Sequence, residues 1–148
     1  ENNQYGMSMA SENAVAGGSI AQRAESYGIK SISIDGNNVE EVYNSVLEFK
    51  ETIKSSGKPM FIESVTYRYR GHSKSDRNLY RTSEEIEFWK EEKDPLKRFI
   101  GKLTEEGVEI ETLKEIESEV REVIRDSVKK ALQSPESPKT NLEEDSYA

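Results

Sequence analysis

Strand-like and helix-like patterns of apolar residues alternate in the first half of the chain. Residues 30–35 alternate apolar and polar side chains, which predicts a strand. The turn sequence Asp-Gly-Asn-Asn at 35–38 follows and can cap a helix over residues 39–55. The apolar residues of this helix recur at helical spacing and are Val42, Tyr43, Val46, Phe49 and Ile53. Residues 60–67 are β-branched and aromatic, which predicts a second strand. This order predicts two parallel strands joined by a right-handed crossover.

The segment before the first of these strands carries weaker signals. The residues that follow Asn3 are rich in Gly, Ser and Ala, which predicts a loop. Ser19 can cap a short helix that runs through Tyr27 and stops at Gly28. The side chains expected on one side of it are Ile20, Ala24 and Tyr27.

Helical patterns dominate the second half of the chain. The sequence Thr-Ser-Glu-Glu at 82–85 is a capping box and predicts a helix through Trp89. Asp94 and Pro95 open another helix, which ends at Gly107. The apolar positions expected inside are Leu96, Phe99, Ile100 and Leu103.

A third helix of this half carries a long apolar stripe. Thr112 and Glu115 can form a second capping box at its start. The stripe consists of Leu113, Ile116, Val120, Val123, Ile124, Val128 and Ala131. We expect it to be core or subunit interface rather than a cofactor site. From Ser134 the chain is rich in Pro, Ser and Glu, which predicts an extended tail.

Composition limits the classes of protein that fit. The chain has 148 residues, a net charge of -8, 33% hydrophobic and 34% charged residues, and no cysteine. The acidic balance argues against general nucleic-acid binding, and the absence of cysteine excludes disulfides and thiolate metal sites. No apolar run is long enough to span a bilayer, so we expect no membrane association. The low hydrophobic content predicts that some apolar surface is covered by other segments or by partner chains.

The richest chemistry lies at residues 67–76, where the second strand ends. This segment holds His72, the only histidine, together with Arg68, Arg70 and Lys74. A cationic patch on an acidic protein is a candidate anion site, and a histidine can donate to phosphate oxygens or move a proton near neutral pH. The alternative is a surface loop whose arginines pair with nearby glutamates, at about 0–1 kcal/mol for each pair.

The first residues of the chain offer oxygen ligands. The side-chain oxygen of Asn3 and the main-chain carbonyl of Tyr5 can face one ion, and both are hard ligands of the kind that Mg²⁺ or Ca²⁺ accepts. Two neutral oxygens cannot hold a dication by themselves, because a carboxylate and phosphate oxygens are also needed. The same sequence is also typical of a simple turn, since Asn and Gly tolerate left-handed conformations.

Three segments, taken in this order, resemble a known family. They are residues 1–7 (ENNQYGM), 67–76 (YRYRGHSKSD) and 79–95 (LYRTSEEIEFWKEEKDP). The chain resembles the alpha subunit of thiamine-diphosphate-dependent 2-oxo acid dehydrogenase complexes, a group that includes the pyruvate, branched-chain and acetoin dehydrogenases. The family carries a Gly-Asp-Gly motif upstream of the Asn pair. Because no such motif occurs here, we expect the chain to be a C-terminal fragment of the subunit.

The resemblance assigns roles to five residues. Asn3 and the carbonyl of Tyr5 match ligands of the Mg²⁺ ion that holds the cofactor diphosphate. Gly6 and Met7 match positions that line the thiamine site. His72 matches a histidine that reaches the diphosphate and the reaction centre, which makes it the predicted catalytic residue.

The resemblance also implies a fold. We expect the C-terminal part of a thiamine-diphosphate-binding three-layer α/β/α domain over residues 1–81, with parallel strands and the His72 loop. A helical region over 82–133 and an extended tail over 134–148 would follow. The chain departs from many relatives at Arg77, where they have proline. Ser73 matches a serine that kinases modify in mitochondrial members, and we expect it to be unmodified here.

The activity implied by the resemblance is that of an oxidoreductase. The parent enzyme would decarboxylate a 2-oxo acid or cleave acetoin, with thiamine diphosphate and Mg²⁺ as cofactors. It would pass the acyl group to the lipoyl arm of an acyltransferase core, in an α₂β₂ assembly with a beta subunit in the cytoplasm. The alternative is a non-catalytic helical assembly module that docks through residues 113–131 and binds no cofactor. An unpaired sheet edge also predicts self-association of the fragment.

Overall fold

The computed structural model describes residues 1–136 as an alternation of short strands and helices. The strands are β1 (Tyr5–Gly6), β2 (Met9–Ala10), β3 (Lys30–Asp35) and β4 (Met60–Val65). The helices are α1 (Ser11–Ala14), α2 (Ile20–Glu25), α3 (Val39–Ser56), α4 (Ser83–Glu92), α5 (Pro95–Glu105) and α6 (Ile110–Gln133). The chain divides into two compact units, residues 1–103 and the part from Thr104 onward. The predicted boundary after residue 81 stays a prediction, although α4 lies within the first unit.

The parallel strand pair was predicted correctly. β3 and β4 run side by side from the Lys30–Met60 pair to the Asp35–Val65 pair. β4 ends at Val65, two residues before the predicted end, but the sheet pattern continues with Asn2, which bridges to Val65 in parallel. The N–H of Asn2 donates to the carbonyl of Ser64 at 2.8 Å, and the N–H of Thr66 donates to the carbonyl of Asn2 at 2.9 Å. The sheet therefore places the first residues of the chain beside the end of β4.

The predicted caps define the starts of three helices. Ser19 accepts the N–H of Gln22 at the start of α2, and Asn38 accepts the N–H of Glu41 at the start of α3. Thr82 accepts the N–H of Glu85 at the start of α4, which runs three residues beyond the predicted end at Trp89. Such side-chain acceptors satisfy backbone donors that have no partner within the helix.

Two expectations for the N-terminal segment were wrong. The predicted loop after Asn3 contains the antiparallel pair β1–β2 and the short helix α1, because Gln4 adopts a positive φ of 73° and its carbonyl accepts the N–H of Ser11. Helix α2 ends at Glu25 rather than Tyr27, whose ring is 82% exposed. The buried side chains of this helix are Ala21 and Ala24.

Two further expectations failed in the C-terminal helices. Thr112 is not a cap, because α6 already begins at Ile110 and the N–H of Thr112 donates to the carbonyl of Glu109. Leu96 and Ile100 are exposed rather than inside α5. Asp94 caps that helix as predicted, because its side chain accepts the N–H groups of Leu96 and Lys97. The stripe of α6 is largely exposed in this chain, and its large exposed members are Ile116, Val120, Val123, Ile124 and Val128.

The buried core is small. Its hydrophobic members in the described part of the chain are Ala21, Ala24, Ile34, Phe49 and Tyr67. No helix within residues 1–136 is both long enough and apolar enough to cross a membrane. The predicted tail falls mainly on residues 137–148, which lie outside the described residues.

Candidate functional site

The N-terminal turn is held by side chains that bond to its own backbone. The side-chain oxygen of Asn2 accepts the N–H of Gln4 at 3.1 Å, and that of Asn3 accepts the N–H of Tyr5 at 3.3 Å. Gln4 and Met7 both have positive φ, at 73° and 56°. Two Asn-stabilised turns in succession therefore bend residues 2–7 back on themselves.

Arg68 joins this turn to the segment that follows β4. Its Nη1 donates to the carbonyl of Tyr5 at 3.3 Å, and its Nη2 donates to the carbonyl of Met7 at 2.7 Å. Nη2 also lies 3.0 Å from the hydroxyl oxygen of Tyr80, a residue that follows the His72 loop in the sequence. The guanidinium thus fixes the distance between the N-terminal turn and the loop.

The His72 loop folds around the carboxylate of Asp76. This group accepts the N–H of His72 at 2.7 Å, the N–H of Asn78 at 2.9 Å and the hydroxyl of Tyr80 at 2.8 Å. These bonds, chiefly that from Asn78, hold the pKa of Asp76 below its usual value. A Cβ at Gly71 would lie 2.7 Å from the Cβ of Asp76, so the close turn requires glycine here.

An open cleft of about 340 Å³ lies between the loop and the turn. It is lined by Met7, Ser8, His72, Ser73, Asp76, Arg77, Leu79 and Tyr80. The structure thus brings together two predicted site residues that are far apart in sequence, Met7 and His72. The other three predicted residues lie outside this lining. Asn3 and Tyr5 are half-buried in the turn, and Gly6 is exposed in β1.

The two predicted metal ligands fit part of a magnesium shell. The side-chain oxygen of Asn3 and the carbonyl oxygen of Tyr5 each accept one N–H in the structure, so each keeps a lone pair for an ion. Both groups are neutral. Within residues 1–136, no three His, Asp or Glu side chains are grouped so that they could hold a metal. A magnesium ion here would take its negative ligands from elsewhere, such as a diphosphate.

A tyrosine–glutamate cluster lies on the other side of the turn. The hydroxyls of Tyr5 and Tyr67 both donate to Oε1 of Glu85 at 2.8 Å. Burial, followed by these bonds to a carboxylate, raises the pKa of each tyrosine to about 12. The ring of Tyr67 also stacks on Trp89, with centroids 5.0 Å apart. The cluster attaches the turn to α4.

Arg81 lies at the centre of this cluster and is only 8% exposed. Its guanidinium donates to the carbonyls of Arg68 and Tyr69 and to the side-chain oxygen of Asn78. It also lies over three aromatic rings, those of Tyr5, Tyr67 and Tyr80, at 5.2–5.6 Å from the centroids. The buried charge is thus satisfied by carbonyl oxygens and ring faces.

The buried carboxylate of Glu63, which lies in β4, holds the N-terminal turn in place. It accepts the side-chain amide of Asn2 at 2.8 Å and the N–H of Ala21 at 2.9 Å. Burial acts to raise the pKa of this carboxyl, but the Ala21 and Asn2 donors outweigh it and hold the pKa below its usual value. Glu63 is therefore a permanent anion at neutral pH.

Comparison with known proteins decides the family. The family model described as "Dehydrogenase E1 component" matches residues 1–140. The chain belongs to the dehydrogenase E1 component family. Together with the curated relatives described next, this match confirms the earlier resemblance to the alpha subunits of this family.

Curated relatives of this E1 component chain are alpha subunits. It is 38% identical over 137 residues to "Pyruvate dehydrogenase E1 component subunit alpha" of Rhizobium meliloti, covering 92% of the chain and 39% of the relative. It is 37% identical over 107 residues to "2-oxoisovalerate dehydrogenase subunit alpha, mitochondrial" of Mus musculus, covering 72% of the chain and 24% of the relative. The chain spans about two fifths of the length of the first curated relatives it matches.

Sequence reasoning on this E1 component chain missed two of the contacts that shape the site. Arg68 was expected to bind an anion or pair with glutamates, whereas it binds the carbonyls of Tyr5 and Met7. Glu63 was not predicted as a site residue, because a single glutamate within an apolar strand has the same sequence pattern as any solvent-facing strand residue. Glu63 is only 4% exposed, and this burial, which only the structure shows, distinguishes it from a surface glutamate.

Proposed function

We propose that this chain forms part of a thiamine-diphosphate site in an E1 alpha subunit. Asn3 and the Tyr5 carbonyl would contribute two oxygens to a Mg²⁺ ion on the diphosphate, and Gly6 and Met7 would line the thiamine. His72 would approach the diphosphate and the reacting carbon. The observation that supports this proposal best is the cleft between Met7 and His72, whose two sides are joined by Arg68.

The proposed activity is that of the complete subunit. It would decarboxylate a 2-oxo acid, either pyruvate or a branched-chain acid, or cleave acetoin, and would pass the acyl group to lipoamide. When bound, thiamine diphosphate supplies the carbon nucleophile and the electron sink for this chemistry. We further propose a beta subunit and a lipoyl-bearing acyltransferase core as partners, and a cytoplasmic location. The names of the curated relatives, a pyruvate dehydrogenase and a 2-oxoisovalerate dehydrogenase, support 2-oxo acids as the substrate class.

The proposed role of His72 agrees with its surroundings. Asp76 binds the backbone N–H of His72, so this contact holds the residue at the cleft without using the imidazole ring. The ring is exposed, so it can donate a hydrogen bond to a bound group or transfer a proton to it. Lys74 lies in the same loop and is also exposed, but it does not line the cleft, so it provides a matched control.

The test uses the complete subunit assembled with its beta partner. We expect His72→Ala to lower reductive acylation of a lipoyl domain by about 10²–10⁴-fold, the usual contribution of a positioned acid or base. Lys74→Ala should keep activity within about twofold of wild type, with both variants assembled to the same extent by gel filtration. Normal turnover in an assembled His72→Ala enzyme would defeat the assigned role.

A second candidate is a helical assembly module that binds no cofactor. The exposed apolar stripe of α6 favours it, since Ile116, Val120 and Val123 are each more than half exposed. Calorimetry of this chain with Mg²⁺ and thiamine diphosphate tests the second candidate. Tight binding that requires Mg²⁺ would exclude the module. We expect weak or no binding by this chain alone, because the two neutral ligands need a carboxylate to hold the ion.

A further inference from the structure

Glu63 is a buried carboxylate that the proposed chemistry does not use. It lies in β4 and is only 4% exposed. One of its oxygens, Oε1, accepts the side-chain amide of Asn2, and the other, Oε2, accepts the backbone N–H of Ala21. A carboxylate in such a position is costly unless donors surround it, and here each oxygen has at least one, with the N–H of Ile20 and the hydroxyl of Ser33 as further partners of the group. The donors of Ala21 and Asn2 come from segments 42 and 61 residues away in the sequence.

Asn2 transmits this contact to the turn that carries the predicted metal ligands. Its side-chain oxygen accepts the N–H of Gln4, which has a φ of 73°, and the side-chain amide of Gln4 donates back to the carbonyl of Asn2. An ionised carboxylate only accepts hydrogen bonds, so the NH₂ group of Asn2 must face Glu63. The oxygen of Asn2 must then face the N–H of Gln4. The carboxylate thereby determines the orientation of the amide.

We propose that Glu63 is a positioning residue that, through Asn2, sets the turn presenting the Asn3 side-chain oxygen and the Tyr5 carbonyl to magnesium. This inference rests on the proposed function for its metal, but the geometry of the turn can be measured without any cofactor. Glu63 touches neither substrate nor ion, and it acts by fixing which way one amide points.

The donor and acceptor pattern predicts which substitutions fail and which combination restores the turn. In Glu63→Gln, the new amide oxygen can still accept the N–H of Ala21, but its NH₂ group then meets the NH₂ group of Asn2. If the Asn2 amide turns over, its oxygen accepts from the new amide at position 63, but its NH₂ group then faces the N–H of Gln4, and two donors again meet. In Asn2→Asp, two carboxylates face each other. In the double variant, the carboxylate introduced at position 2 accepts from both the amide introduced at position 63 and the Gln4 N–H, so every pair is again matched.

The first measurement is amide hydrogen exchange in the complete, cofactor-free subunit. We expect each single variant to speed exchange in peptides that cover residues 2–10 by about tenfold or more, since the N–H groups of Gln4 and Tyr5 are held by this turn. The double variant should return to within about threefold of wild type. Glu51→Gln removes a charge from an exposed position of α3 and serves as the control, which should leave this exchange unchanged.

The second measurement is the Mg²⁺ concentration that half-saturates thiamine diphosphate binding. We expect it to rise about tenfold in each single variant and to recover in the double variant, while melting temperatures establish that all proteins are folded. If one single variant does not fold, the double variant is compared with the other single variant, and its Mg²⁺ half-saturation should again be closer to that of the wild type. A double variant no better than either single variant would overturn the proposal. So would a melting temperature that falls without any change in exchange or in Mg²⁺ half-saturation.

The two measurements also separate this inference from the proposed function. A wild-type subunit that binds no thiamine diphosphate with Mg²⁺ would end the proposed function. The exchange pattern of the four proteins would still decide whether Glu63 sets the turn. Equal exchange in wild type and Glu63→Gln would end the positioning role even in an enzyme that binds its cofactor normally.

Discussion

Replacing Arg81 with lysine removes the guanidinium but retains its positive charge. In the structure, this buried group donates to the carbonyls of Arg68 and Tyr69 and to the side chain of Asn78. Lysine offers three donors on one nitrogen at the end of a flexible chain, so it cannot reach acceptors spread across the plane of a guanidinium. We expect Arg81→Lys to leave two of the three acceptors without a charged donor.

The size of the loss follows from these contacts. A hydrogen bond from a charged donor contributes about 1.5–3 kcal/mol, so two lost bonds cost about 3 kcal/mol at the lower limit. The lysine ammonium group keeps part of the attraction to the three tyrosine rings, so this attraction adds little to the stability difference between the wild type and Arg81→Lys. With a urea dependence of about 2 kcal/mol per M, the unfolding midpoint should fall by about 1.5 M.

Trp89 provides the assay because it is the only tryptophan in the chain and stacks on Tyr67, which Arg81 also contacts. Its fluorescence during urea unfolding therefore reports directly on the cluster. Arg70→Lys is the control, since Arg70 is exposed in the same segment and the change should cost less than about 0.5 kcal/mol. Equal midpoints for the two variants would refute the argument that the guanidinium geometry, rather than charge alone, holds the cluster.

Three further outcomes are expected from local contacts. Between pH 10 and pH 12, Tyr67 alone should take about 3 kcal/mol or less from the free energy of unfolding, because an unfolded tyrosine ionises near pH 10 and the pKa of Tyr67 is about 12 when folded. In pH-dependent urea unfolding, Tyr67→Phe should lack this part of the loss and keep the part that comes from Tyr5, whose pKa is also about 12. Gly71→Ala should cost about 1–3 kcal/mol and speed limited proteolysis of the loop, since the new Cβ would overlap Asp76, and unchanged cleavage would contradict this. Asn38→Ala should lower the free energy of unfolding by about 1 kcal/mol through loss of the α3 cap, as measured by thermal unfolding. Asn44→Ala, on the exposed side of the same helix, should not lower it.

The elements that sequence reasoning located correctly depend on local chemistry. β3 has the predicted bounds because period-two alternation between turn residues is a property of six neighbouring residues. The starts of α2, α3 and α4 follow from Ser19, Asn38 and Thr82, whose side chains bond to N–H groups three residues later. Thr112 had the same sequence signal and failed, because Ile110 and Glu111 already continue the helix upstream. A capping pattern marks a possible start, and the residues before it decide whether it is used.

The site was predictable only in its residue types. The histidine, the cations and the oxygen ligands stand out in the sequence because those side chains are rare or clustered. Their mutual arrangement depends on contacts between residues about 60 positions apart, such as Arg68 with Tyr5 and Glu63 with Asn2. Nothing local distinguishes an arginine that will bind two carbonyls from one that will bind a phosphate. The roles of the five predicted site residues stay predictions until the cofactor is measured.

Helical periodicity and burial are separate properties, and α3 shows why. Its apolar positions were predicted from their spacing, yet Phe49 is buried while Tyr43, Val46 and Ile53 are 43–64% exposed. The spacing places these side chains on one face whatever lies opposite, because 3.6 residues per turn is fixed by the backbone. Whether that face is covered depends on which other surface packs there, and the spacing carries no information about that surface. An apolar stripe in an isolated sequence therefore predicts a helix and its orientation more reliably than it predicts a core.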